Sequence, residues 1–153
     1  MCRFKSAIVT KTGELYHNNF LDSHEDLIDL YGLNDNGIRD NFIRIEYYPI
    51  GTERLDDIKK YELHIDENEI PEWFDDTMKN KIERKLKTII KGMIISDNKK
   101  IIVGKSVILT GDAVINKIQN CVVLAMYENS QVNVMYDNSQ VNEMYENSQK
   151  PKQ

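Results

Sequence analysis

Three near-identical hexapeptides occur in the last third of this chain: Met126 to Gln131, Met135 to Gln140 and Met144 to Gln149, each reading Met-Tyr-Glu/Asp-Asn-Ser-Gln. Val132-Asn133-Val134 and Val141-Asn142-Glu143 join them, so the period is nine residues. At about 100° per residue, nine residues of helix turn about 900°, which puts successive copies on opposite faces and leaves no apolar stripe. Asn, Ser, Val and Tyr are also indifferent helix formers. With Val, Met and Tyr making about a third of each unit, the segment is too apolar for a flexible tail. A β-solenoid satisfies the pattern: an Asn-Ser corner resets the strand alternation, so every nonapeptide presents the same residues inward. Two units would make one coil, with coils ~4.8 Å apart and Val, Ser and one of Met or Tyr filling the interior.

A degenerate form of the unit extends backward through Asp112/Ala113/Ile115 and Asn120/Cys121/Val123. The expected organisation is an α+β domain over 1–100, a solenoid of nine-residue repeats over 101–149 and a polar tail over 150–153. The last three units contain no Gly and one carboxylate each, Glu128, Asp137 and Glu146. Calcium-binding β-rolls need Gly and several Asp at fixed places, so no calcium cage is expected. Tyr127, Tyr136 and Tyr145 either form outward ladders for a partner or for self-association, or simply cover the core. With the three carboxylates they are the candidate binding residues. Lys150-Pro151-Lys152 places two charges and a missing N–H where another strand would add. Near-identical copies suit a surface or spacer better than a catalytic site.

The first hundred residues read differently. Ala7-Ile8-Val9 forms a strand, Lys11-Thr12-Gly13 a hairpin turn, and Glu14 to His17 the return. Ser23 with Asp26 marks a helix N-terminus, Leu27, Ile28, Leu30 and Tyr31 its apolar stripe, and Gly32 its end. Phe42 to Tyr48 and Tyr61 to Asp66 alternate as strands. Pro71 fits the first turn of a long helix whose apolar positions run from Phe74 through Met78, Ile82, Leu86 and Ile90 to Met93. The order is ββαββα: an antiparallel sheet with one solvated face and both helices on the other.

Composition bounds the function. A net charge of −5 disfavours general affinity for nucleic acid or anionic membrane, and no apolar run reaches the roughly 18 residues of a membrane span. The first residues lack the apolar core of a secretory signal, so a cytoplasmic protein is expected. Neither cysteine nor any of His17, His24 and His64 has a partner at metal-ligand spacing, so no metal or other cofactor is expected. Asp22-Ser23-His24-Glu25-Asp26 contains the letters of a catalytic triad, but helix capping explains it, since triads assemble from separated segments.

Cys2 is the one enzymatic lead. Removal of Met1 would leave a residue carrying both a thiol and an α-amine, the arrangement of N-terminal-nucleophile hydrolases and amidotransferases. His24 is the alternative activator of that thiol. Those enzymes begin Met-Cys-Gly-Ile and abasic-site-crosslinking proteins Met-Cys-Gly-Arg, whereas this chain begins Met1-Cys2-Arg3-Phe4.

Taken together, Met1 to Ile8, Asp22-Ser23-His24, Pro71-Glu72-Trp73-Phe74 and the Met-Tyr-x-Asn-Ser-Gln-Val-Asn units resemble small uncharacterised proteins of phages and prophages. The resemblance implies a setting and no activity. In that setting small acidic proteins bind and inhibit host defence components. The expectation is therefore a non-enzymatic binding or assembly protein in the host cytoplasm, its partner a host protein or a second copy of itself. The Cys2-dependent enzyme is the alternative.

Overall fold

The computed structural model describes residues 4–33 and 41–152. The chain divides into two compact units, Met1–Ile89 and Ile90–Gln153, ahead of the boundary expected at residue 100. It is a mixed α+β protein, with two α-helices, one antiparallel sheet and two parallel sheets among the described residues.

In the first unit, β1 (Ser6–Thr10), β2 (Leu15–Tyr16), β3 (Phe42–Pro49) and β4 (Tyr61–Ile65) form an antiparallel sheet in the order β2-β1-β3-β4. The β1–β2 turn closes on Gly13, whose φ of +83° suits a residue without a side chain and whose N–H bonds Thr10 O at 2.9 Å. Helix α1 (His24–Leu30) starts where expected: the Ser23 hydroxyl accepts the Asp26 N–H. It ends with Gly32 at φ +61° and the Leu33 N–H on Ile28 O.

Two expectations need correction. Helix α2 is Asp76–Met93, so Pro71 lies outside it. Pro71 to Phe74 make a separate turn, and the Asp75 carboxylate caps the helix by accepting the Met78 N–H at 2.8 Å. The ββαββα order holds only with an added 3-10 turn, Ile58–Lys60, between β3 and β4.

Nor do both helices cover one face of the sheet. Ile8 and Phe42 pack with Leu27 and Ile28 of α1. Ala7, Val9, Ile43, Ile45 and Tyr47 have the opposite strand parity and are buried as well. On that side Tyr47 and Tyr61 face Asn80, Glu83 and Arg84 of α2 across a cleft, and Lys85 Nζ donates to Gly13 O at 3.4 Å. The sheet is thus covered on both faces. The unbroken run Ala7-Ile8-Val9, without alternation, is the composition such a strand needs.

In the second unit, β5 (Ile94–Ile95), β6 (Lys99–Val103), β7 (Ser106–Leu109), β8 (Val114–Gln119), β9 (Val122–Met126), β10 (Gln131–Tyr136) and β11 (Gln140–Val141) alternate between two sheets. Odd strands form β11-β9-β7-β5 and even strands β10-β8-β6, every pair parallel. Among the repeats, Gln140 pairs with Val122, Val141 with Val123, Met144 with Met126 and Gln149 with Gln131. Partners therefore lie two nonapeptides apart. Ile102, Leu109, Ile115, Ile118, Val123, Met126 and Val132 form one apolar cluster, with Met135 and Val141 at its margin.

Each corner of the repeat is one tight turn. The Ser130, Ser139 and Ser148 N–H groups bond Tyr127, Tyr136 and Tyr145 O at 3.1, 3.3 and 3.2 Å. The residue after each tyrosine is left-handed: Glu128 at φ +54°, Asp137 and Glu146 at +55°. Gly111 holds the same place in an earlier corner, where Ala113 N–H bonds Thr110 O.

Candidate functional site

Two regions carry groups capable of recognition, one in each unit. The first is a cleft of about 610 Å³ lined by Phe20 to Asp26, Arg44 and Asp66. Its floor is built from the start of α1 and the ends of β3 and β4. Asp22 receives the backbone N–H groups of Lys5, at 3.0 Å, and Ser6, which ties the start of β1 to the residue before the helix cap. Burial raises the Asp22 pKa, opposed by the Ser6 amide and the Lys5 charge. Burial also lowers the pKa of Lys5, whose ammonium donates to Asn18 O at 2.6 Å. Both shifts run toward the neutral forms, so desolvation outweighs their mutual attraction.

His24, the first residue of α1, is buried. Its Nε2 lies 2.9 Å from Ile45 O and its Nδ1 3.4 Å from Asp66 Oδ2. Asp66 is fixed by its own N–H on Arg44 O at 2.9 Å. The Arg44 guanidinium bonds Glu67 Oε1 at 3.0 Å, as does the Arg44 backbone N–H. Glu46 stands across the sheet from both Ser6 and His64. One ligand atom from each of His24, Glu46 and Asp66 lies within 4.8 Å of the others. Spacing in the sequence concealed this group, because its members come from three separate segments. The retrievable signal was the placing of Glu46 and Asp66 among apolar strand residues.

His24 is thus positioned in a polar cleft, while Cys2 lies outside the described residues. Ser23 acts as a cap, and no Ser-His-Asp relay forms within residues 22 to 26, because His24 turns to Ile45 and Asp66.

The second region is the surface of the repeats. The three tyrosines do not share one ladder. Tyr127 is only 2% exposed and stacks on Tyr145 with ring centroids 5.2 Å apart and planes 8° from parallel. Tyr136 belongs to the other sheet and is 47% exposed, with Lys117 Nζ 4.5 Å above its ring. The register places Ile101, Lys117 and Val134 in one row, and Val103, Gln119 and Tyr136 in the next. Ile101, Val103 and Val134 are 49, 50 and 38% exposed. Glu128, Asp137 and Glu146 sit at the corners; Asp137 accepts from Gln119 Nε2 at 2.7 Å, and Glu128 from the Thr110 hydroxyl at 3.5 Å. The six expected binding residues are therefore distributed around the repeat. The exposed patch of Ile101, Val103 and Val134 was missed, since only Val134 falls inside the obvious copies.

No protein-family model matches the chain, and no curated protein or solved structure matches it either. No helix among the described residues is long and apolar enough to cross a membrane.

Proposed function

We propose that this chain is a non-enzymatic binding and assembly protein whose C-terminal unit is a β-solenoid with two nonapeptides per coil. Strand alternation between two parallel sheets, with partners two units apart, supports the solenoid. The patch formed by Ile101 and Val134 in one row and Val103 and Tyr136 in the next carries the functional reading. Four exposed side chains on one face of one sheet, two flanking Lys117 and two flanking Gln119, form a contact surface for protein. The resemblance to phage and prophage proteins supplies the setting: an inhibitor of a host defence factor, acting in the host cytoplasm. Glu128, Asp137 and Glu146 border the surface and suit a basic rim on the partner. Light scattering over a concentration series tests the reading. Self-association that is lost in Val134→Lys and Tyr136→Lys, with unchanged circular dichroism, assigns the surface to a second copy. A monomer whose inhibition of host defence is lost in the same variants assigns it to a host protein. Variants that alter neither property overturn the reading.

One observation favours the alternative, thiol chemistry at Cys2. Asp22 fastens the Lys5 and Ser6 amides at the rim of the cleft that holds His24. In that reading the mature chain has lost Met1, and Cys2→Ala abolishes its phenotype without altering its fold. Intact mass showing a fully active chain that retains Met1 eliminates the N-terminal-nucleophile form of it.

A further inference from the structure

We propose that the cleft of the first unit binds a divalent first-row transition ion through His24 Nδ1 and the carboxylates of Glu46 and Asp66. The His24 imidazole has a neighbour at each ring nitrogen. Its Nε2 is 2.9 Å from Ile45 O, and a carbonyl oxygen only accepts, so Nε2 carries the proton. Nδ1 then presents its lone pair toward Asp66 Oδ2, 3.4 Å away. Two acceptors repel at that distance unless a proton or a cation stands between them.

The distance favours the cation. A charge-assisted N–H···O bond closes to about 2.7–2.9 Å. Two ligands held about 2.0–2.1 Å from a tetrahedral ion stand roughly 3.4 Å from each other, as Nδ1 and Oδ2 do here. The Nε2–H bond to a backbone carbonyl is also the partner that metal-ligating histidines use to fix ring orientation and tautomer. Glu46 completes a set of one nitrogen and two oxygens, which suits Zn2+ and its neighbours and leaves a coordination position open toward the cleft.

A separate observation points the same way. His64 pairs across the sheet with Glu46, and its Nε2 is buried without a hydrogen-bond partner. A buried ring nitrogen in that state costs free energy. A water on an ion beside Glu46 would supply its partner.

The test is calorimetric titration of ZnCl2 into the untagged, chelator-stripped full chain, with Co2+ absorption as a second readout. One ion per chain is expected, with d–d bands of a site containing nitrogen and oxygen ligands. Asp66→Asn and Glu46→Gln should each weaken binding at least about tenfold. His24→Gln should do the same, but that residue also holds Ile45, so the two carboxylate variants decide the matter if His24→Gln fails to fold. Absence of stoichiometric binding, or equal affinity in Asp66→Asn and Glu46→Gln, overturns the proposal. So does an imidazole nitrogen NMR signature showing His24 doubly protonated and unchanged by Zn2+.

Discussion

The two units build and cover their sheets in opposite ways. In the first, four antiparallel strands are covered on both faces by helices, and His24, Glu46 and Asp66 are brought together from three separate segments. In the second, one nonapeptide is used repeatedly, and its strands pair in parallel with copies of themselves. Like therefore meets like: Tyr127 stacks on Tyr145, and Asn147 donates to Asn129 at 3.3 Å. The difference teaches where chemistry can be concentrated. Repetition spreads identical groups along a surface, whereas an irregular fold can gather His24, Glu46 and Asp66 at one point.

The largest expected effect comes from the core of the repeats. Ile118 is fully buried among Ile102, Leu109 and Met126, and Ile118→Ala should lower the unfolding free energy by about 2–5 kcal/mol in urea titrations. A loss below 1 kcal/mol would mean that the parallel stack is not held by this cluster.

The irregular unit is tested next. Asp22→Ala orphans two amides and should cost about 1–3 kcal/mol for each that water cannot reach. The pH dependence has a defined sign. Burial raises the folded-state pKa of Asp22, so its burial cost is absent below the unfolded value and appears as pH rises through the folded one. Wild type should therefore lose stability relative to Asp22→Asn as pH climbs from about 4 toward neutrality. An opposite slope in paired urea titrations would contradict the assignment.

Smaller effects sharpen the repeat. Ser130 is fully buried and its hydroxyl has no hydrogen-bond partner, while Ala113 occupies the equivalent corner. Ser130→Ala should stabilise the chain by about 1 kcal/mol, read as a rise in thermal midpoint. Asp137→Gly should contribute about 0.5 kcal/mol more by relieving a left-handed residue, as Gly111 does in its own corner. Because Asp137 also accepts from Gln119, a loss of stability there would show that the side-chain bond outweighs the backbone strain.

What the sequence disclosed follows the same division. The period of nine showed the repeat, and the Ser23 and Gly32 signals bounded α1, because each is a local pattern. Non-local facts escaped. Burial of β1 on both faces was hidden because Ala7-Ile8-Val9 alone does not say what covers it. Pro71 suggested a helix start, yet Asp75 holds the cap. The three tyrosines look equivalent in sequence, but parallel partners among the repeats lie 18 residues apart, which sends Tyr136 to a different sheet from Tyr127 and Tyr145. Of the three clustered ligand groups only His24 was legible, since Glu46 and Asp66 come to it through the pairing of β3 with β4.

The central claim is that two nonapeptides make one coil, and cross-linking tests it most directly. In a Cys2→Ser, Cys121→Ser background, cysteines at 129 and 147 should lie on adjacent strand layers. Spacing of about 4.8 Å between layers falls within the range a disulfide spans. Cysteines at 129 and 138 should stand on different sheets, about 10 Å apart and beyond that range. The account predicts rapid oxidation of the 129–147 pair and none of the 129–138 pair. Bridging of 129 to 138 at an equal rate, or failure of 129 to bridge 147, would contradict it.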